Sequence, residues 1–278
     1  MSAPDFFRRY CEIDIDGLIV TDPKIVLDIK LSLDPSTQDN GTVSIYNLSR
    51  LRERRINHRG AKIKVVAGYQ NFNGVVFDGA VQRVERAREQ LARITKLSLT
   101  SQIAADDTLG GVSNLGYQSD VSLKTVVADL VNDINGVELG DTSIIPDINL
   151  SYAYWAGKSW KGLVHVLDSH DILPYVDSGL VEFSRVNEAI SDGTAHRLSA
   201  GSGLIGAPTV TDDGARVRSL LDYRYRLNTY VTVESESFND TLKVAAITHG
   251  GSNWDGEWFT ELELLTQEAI DELEEQSA

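Results

Sequence analysis

From residue 24 to 34, apolar side chains fall on every second position. Ile25, Leu27, Ile29, Leu31 and Leu33 alternate with Lys24, Asp28, Lys30, Ser32 and Asp34, and Val26 is the exception. A period of two is that of a strand with one buried and one wet face. Val43 and Ile45 resume the pattern beyond the turn-rich run from Asp34 to Gly41. Ile63, Val65, Val76, Val81, Ile94, Leu97 and Leu99 supply further strands between glycine-bearing turns, with a short helix expected between Ser49 and Asn57. The pattern is that of an antiparallel barrel or sandwich, where closure removes open sheet edges.

The period then changes. Leu123, Val126, Val127, Leu130 and Ile134 recur at helical spacing after Ser122, a natural N-cap, and Asn135-Gly136 stops the helix. A second helix is expected with Ser159 as its cap and Trp160, Leu163, Val164 and Leu167 as its stripe; Pro174 prevents it from continuing. Tyr175-Val176, the turn Asp177-Ser178-Gly179 and Leu180 to Phe183 read as a hairpin. Beyond Asp192-Gly193 the period of two returns, with strands expected over Leu221–Asn228, Tyr230–Val233, Leu242–Ile247 and Trp258–Leu265. From Thr266 the tail carries Glu268, Asp271, Glu272, Glu274 and Glu275 and reads as a frayed acidic helix or disorder.

The expected fold class is therefore mainly β (α+β): two antiparallel β-barrel or sandwich domains, residues 1–102 and 197–265, flank a small α/β insert, 103–196, and an acidic tail covers 266–278. The stretches IKVVAGY, VVFDGAVQRVE and ITKLSLTS resemble TYVTVES, LKVAAITHGG and WFTELELLT. The sequence leaves open whether these are two copies of one unit or two unrelated meanders.

Composition narrows the function classes. A chain of 278 residues, 42% hydrophobic and 24% charged, is long enough for about two domains and buries a core without staples. No apolar run approaches the roughly 18 residues of a membrane span, and the opening MSAPDFFRRYCEIDIDG does not read as a secretory signal, so folding in a cytoplasm is expected. Cys11 is the only cysteine, which excludes an intramolecular disulfide and a multi-cysteine zinc site. The net charge of −15 disfavours nucleic acid and anionic lipid as partners. Against that background Arg50, Arg52, Arg54, Arg55, Arg59, Lys62 and Lys64 stand out, with Glu53 as the one acid among them. Within this run Arg52, Arg55 and Arg59 are the candidate contact surface for an acidic partner chain.

The remaining motifs have plainer explanations. Gly201-Ser202-Gly203-Leu204-Ile205-Gly206 matches G-x-G-x-x-G, but Ala207-Pro208 follows where a dinucleotide fold needs a helix N-terminus, so it reads as a flexible linker between domains. His165 and His170 are five apart, which suits neither helical metal-pair spacing. Tyr223-Arg224-Tyr225-Arg226 interleaves aromatic and basic residues as a single-strand platform would, and equally as a half-buried strand would. Trp254 and Trp258 are expected to flank a hairpin turn and pack on the barrel, a carbohydrate platform being the alternative. Nothing assembles a catalytic constellation, and no cofactor or metal is called for.

Asn40-Gly41-Thr42-Val43-Ser44-Ile45-Tyr46-Asn47-Leu48-Ser49, Val66-Ala67-Gly68-Tyr69 and Phe77-Asp78-Gly79 resemble baseplate hub proteins of contractile-tailed bacteriophages. So do Ser159-Trp160, Tyr175 to Gly179, Gly203 to Pro208, Val217 to Leu221, His249 to Ser252 and Gly256 to Thr260. The resemblance implies two tube-like β-barrels per subunit and a homotrimer whose six-fold-like ring joins the tail tube protein to the spike protein. It further implies contacts with other baseplate proteins and DNA passing through without specific binding. The chain would then be a non-enzymatic virion component assembled in the host cytoplasm. A cell-wall polysaccharide hydrolase, a receptor-binding tail module and a type VI secretion spike base are the alternatives.

Overall fold

The alternating segments of the first hundred residues form seven strands: β1 (Arg9–Ile15), β2 (Leu18–Val20), β3 (Ile25–Ser32), β4 (Asn40–Tyr46), β5 (Lys62–Tyr69), β6 (Phe72–Glu89) and β7 (Ala92–Thr100). The computed structural model describes residues 6–33, 40–56, 60–100, 111–177, 179–185, 195–266 and 269. The expected turns at Asp34–Asp39, Ser178 and Asp192-Gly193, and the acidic tail apart from Thr266 and Ala269, lie outside these residues. All pairings among β1 to β7 are antiparallel. Their inward side chains, among them Ile13, Ile25, Leu27, Ile29, Ile45, Ile63 and Leu97, form one apolar core. Helix α1 (Arg50–Arg55) follows β4, with Ser49 Oγ accepting from Arg52 N.

The insert has its own core. Helix α2 (Leu123–Asn132) begins at the expected cap, where Ser122 Oγ accepts from Thr125 N, and buries Leu123, Val126, Val127, Leu130 and Val131. Helix α3 (Ser159–Asp168) starts one residue earlier than expected: Lys158 is its N-cap, and Ser159 is fully buried with its Oγ 2.7 Å from Ser113 Oγ. That buried bond takes the hydroxyl away from capping duty. The remaining strands are β8 (Val112–Tyr117), β9 (Val121–Ser122), β10 (Glu138–Leu139), β11 (Asn149–Leu150), β12 (Ala153–Lys158), β13 (Ile172–Asp177) and β14 (Leu180–Arg185). The last two form the expected hairpin.

The C-terminal unit comprises β15 (His196–Ser199), β16 (Thr209–Thr211), β17 (Gly214–Leu220), β18 (Tyr230–Glu234), β19 (Asn239–Ser252) and β20 (Trp258–Leu265). Its core is built from Val217, Val231, Val233, Val244, Ile247, Leu262 and Leu264, with Leu33 of the first unit and Tyr175 of the insert. No strand forms over Leu221–Asn228. Asp222 N donates to Thr260 Oγ1 at 3.1 Å, and the Asp222 carboxylate takes Arg224 N at 2.9 Å. This side-chain turn outcompetes the ladder that the alternation suggested. The glycine run is not a free linker either. It forms a 3-10 turn, Ala200–Ser202, and then lies along β17, with Ile205 N donating to Arg218 O and Leu220 N to Gly203 O.

The two β units are one sheet. β19 pairs β3 antiparallel from Ala246↔Ser32 to Ser252↔Val26, giving the order β16-β17-β20-β19-β3-β4-β7-β6-β5-β1-β2, with β18 on β19 and β15 on β18. Among the described residues the ladder thus runs on from one β unit into the other through β3 and β19. The order β3-β4-β7-β6-β5-β1 in one half is matched by β16-β17-β20-β19-β18-β15 in the other. In each half the long central strand hands over from one partner to the next. Ala80 pairs both Lys62 and Thr100, and Lys243 pairs both Tyr230 and Leu265. A bulge follows at once, between Val81 and Arg83 and between Val244 and Ala246. The halves differ at the last strand, which is antiparallel for β1 on β5 and parallel for β15 on β18.

Candidate interaction surface

Residues 50–96 hold twelve lysines and arginines against four acidic residues, in a chain whose net charge is −15. Lys64 pairs with Asp78 and Arg83 with Glu85, while the fold brings Arg86 and Arg93 of the β6–β7 hairpin alongside the arginines of α1. Glu53 is their internal counterion, with its Oε1 3.1 Å from Arg86 Nε and its Oε2 4.0 Å from Arg93 Nη1. Arg86 Nη2 also donates to Glu53 O and Ile56 O, and Arg93 Nη2 to Leu48 O. These bonds pin α1 to the hairpin. One carboxylate cannot neutralise the cluster. Arg52 reaches Asp22 only at 3.9 Å, and Arg50, Arg54, Arg55 and Arg88 make no ion pair among the described residues. Leu51 and Leu91, 77% and 90% exposed, add apolar points to this cationic surface. Of the residues singled out in sequence, Arg52 and Arg55 lie on α1, and Arg59 lies outside the described residues. Arg86, Arg88 and Arg93 were missed because they sit thirty residues further on and only the hairpin brings them alongside.

A second polar cluster lies where the two β units meet. Arg9 Nη1 donates to Ser252 O at 2.7 Å and to Asp255 O at 3.0 Å, while Nη2 donates to Gly256 O at 2.6 Å. Trp258 Nε1 donates to Gly68 O at 2.9 Å. Lys24 Nζ pairs with Asp255, which holds that carboxyl below its ordinary range. The loop after β17 lays Tyr223 against Phe72, ring centres 5.1 Å apart, and places the Arg224 guanidinium 4.6 Å over the same ring. The Tyr-Arg-Tyr-Arg stretch thus serves the junction between units, with Arg224 Nη2 paired to Asp222 at 2.7 Å. His249 is buried with its Nδ1 2.9 Å from Thr260 Oγ1, and burial lowers its pKa to about 4. Lys243 is lowered to about 8 by burial, and its Nζ donates to Arg185 O of the insert.

The other candidates scatter. Trp258 is buried while Trp254 is 66% exposed, so the pair does not pack together on the barrel and offers no two-tryptophan platform. His165 is exposed and stacks on Trp155, ring centres 5.8 Å apart. Among the described residues no group of three or more His, Cys, Asp or Glu is placed to hold a metal, and no helix is long and apolar enough to cross a membrane. What the geometry presents is a rigid sheet with a charged rim, suited to protein contacts.

Solved structures share this fold. The 43 kDa tail protein of prophage MuSo2 from Shewanella oneidensis matches with a TM-score of 0.69 and 11% identity, over 94% of this chain and 99% of that one. The tail protein from Neisseria meningitidis MC58 matches at 0.66 and 12% identity, over 93% and 96%. The E. coli c3393 protein, a component of the type VI secretion system, matches at 0.60 and 9%, over 91% and 76%. No curated protein matches the sequence. The fold is that of phage tail proteins. Residues 11–260 match the family model Baseplate hub gp41, and the chain belongs to that family. It is accordingly a structural component of a phage tail baseplate.

Proposed function

We propose that this chain is the subunit of a homotrimeric hub ring that joins the hexameric tail tube to the trimeric spike and leaves a channel for DNA during ejection. One observation carries the proposal: the chain repeats one strand order twice and fuses the two halves through β3 and β19. Three copies then present six similar β units to a six-fold tube while keeping three-fold symmetry toward the spike. The units are residues 1–102 and 197–265, with the insert 103–196 and the tail 266–278 as appendages. The role is mechanical, without a catalytic step, and assembly takes place in the bacterial cytoplasm. Arg52, Arg55 and Arg59 contact an acidic neighbouring chain. The negative balance elsewhere suits a channel, since a cationic wall would hold phosphates.

Electron microscopy of the purified chain, classified without imposed symmetry, tests this. The expected particle is a three-fold ring with six lobes around a hole wide enough for duplex DNA, about 20 Å across the B-form helix. Monomers alone, both in isolation and with tube and spike proteins added, would overturn it.

A further inference from the structure

On β17 the outward arginines are paired with acids, Arg216 with Glu261 and Glu263, and Arg218 with Glu257. The insert furnishes an exposed strand face differently. β8 and β12 form a two-stranded antiparallel ribbon in which Val112 lies opposite Lys158, Asn114 opposite Ala156 and Gly116 opposite Tyr154. Leu115 and Tyr117, with Ala153 and Trp155, turn inward onto the core of the insert. The alternate positions turn outward: Val112 is 70% exposed, Tyr154 71%, and Tyr152, just before β12, 78%. In a chain with 41 acidic residues this strip, made of Val112, Asn114, Gly116, Tyr152, Tyr154 and Ala156, carries none. Aromatic and apolar side chains gathered on one exposed face mark a binding surface.

The strip is braced from beneath. Ser113 Oγ lies 2.7 Å from Ser159 Oγ, Tyr117 Oη donates to Asp129, and Trp155 Nε1 donates to Lys158 O at 3.2 Å while its ring fills the space that Gly162 leaves without a side chain. Above, Tyr154 has an open flank. Gly116 across the ladder has no side chain, and a Cβ built there would meet only Tyr154 Cδ2, at 3.9 Å. Among the described residues neither tyrosine hydroxyl nor the Asn114 carboxamide has a hydrogen-bond partner. Rings and polar groups are thus both presented outward from a fixed ribbon.

Size and charge choose the ligand. A six-residue ribbon rising about 3.3 Å per residue, with strands about 4.8 Å apart, offers roughly 200 Å². A stable protein partner covers about 800 Å² on each side, which this face does not supply. A nucleic acid would need cations along the strip, and the net charge of −15 repels it. A neutral sugar meets neither obstacle. One side of a pyranose ring is a patch of C–H groups, which the negative face of a tyrosine ring attracts. Its hydroxyls donate and accept, as the Asn114 carboxamide and the tyrosine hydroxyls do. We infer that the outward face of β8 and β12 is a binding site for an uncharged saccharide, with Tyr152 and Tyr154 stacking on sugar rings and Asn114 hydrogen-bonding to their hydroxyls. The site lies within one chain, so it stands or falls independently of the ring proposed above.

The test applies the full chain to an array of neutral glycans and titrates it with cello- and N-acetylchito-oligosaccharides, followed by saturation-transfer NMR. A neutral glycan should bind, and a polyanionic one such as polygalacturonate should not. Tyr152→Ala and Tyr154→Ala should each weaken binding about tenfold, the worth of one stacked ring. Asn114→Ala should weaken it several-fold, while Tyr154→Phe, which keeps the ring, should retain most of it. Trp254→Ala removes an exposed aromatic elsewhere and should change nothing. All these positions are exposed, so melting temperatures should match that of the natural chain. No neutral glycan bound at millimolar concentration, or binding that both tyrosine-to-alanine variants leave intact, would overturn the inference. Loss of a tail-protein contact in those variants with no glycan bound would also overturn it, and would assign the face to a protein.

Discussion

His249 is buried in the middle of the sheet, and its neutral ring is the form the fold accepts. Burial lowers its pKa, Arg226 nearby lowers it further, and Asp222 opposes them; the balance is about 4 against 6.5 for a free ring. Between these values the unfolded chain binds more protons than the folded one, so stability rises with pH there. The contribution is complete above pH 6.5 and lost as pH falls to about 4, a swing of about 3 kcal/mol. Melting temperatures measured by circular dichroism from pH 7 to 4 should therefore fall less steeply for His249→Gln than for the natural chain. Parallel curves would show that the ring does not titrate in this window. Lys243, further back on the same strand, follows the same sign, its contribution growing between pH 8 and 10.5 as the buried amine is allowed to be neutral.

At the scale of elements, the loop after β17 shows how a local pattern is overridden. Leu221, Tyr223, Tyr225 and Leu227 alternate as a strand would, yet with Asp222 bound to Thr260 and Arg224 the first two join the core of the first unit and the last two that of the C-terminal unit. Tyr223 is received by the missing side chain of Gly74, where an added Cβ would strike the tyrosine ring. Gly74→Ala should destabilise the protein by roughly 1–3 kcal/mol, the usual cost of forcing atoms into a packed site. Repeating it in a Tyr223→Ala background should cost less than about 0.5 kcal/mol, because the clash is then gone. Equal costs in both backgrounds, read from denaturant midpoints, would place the strain elsewhere. Helix α3 makes the same point, since its expected cap Ser159 is drawn inward by Ser113.

For the whole molecule, charge is the informative quantity. Residues 50–96 are basic and the remainder strongly acidic. The structure brings the arginines of α1 together with Arg86 and Arg93 of the β6–β7 hairpin, so part of this charge is concentrated on one surface. Replacing Arg52, Arg55 and Arg59 by Glu should weaken assembly with tail partners, most clearly at low salt, while the far-ultraviolet spectrum and melting temperature of the monomer stay unchanged. Particles that assemble as before would remove these residues from the interface.

Periodicity alone determined much of this protein. Strands with one wet face and two helices with apolar stripes are local facts, written in neighbouring side chains, and so Ile25 to Leu33, Leu123 to Leu130 and Trp258 to Leu265 could be read directly. The resemblance of short stretches such as Asn40 to Ser49 pointed to the hub family that the match over residues 11–260 bears out. The repeat was visible only as a likeness between triplets, because its signature lies in backbone bonds such as those of Val81 and Val244, which many side chains can satisfy. Tertiary structure alone decided that β3 and β19 fuse the halves and that Arg86 and Arg93 join α1. Those outcomes depend on which distant strands meet. Strand meeting is settled by the burial of whole faces and the pairing of N–H and C=O groups that every residue but proline carries alike, so no single side chain announces it.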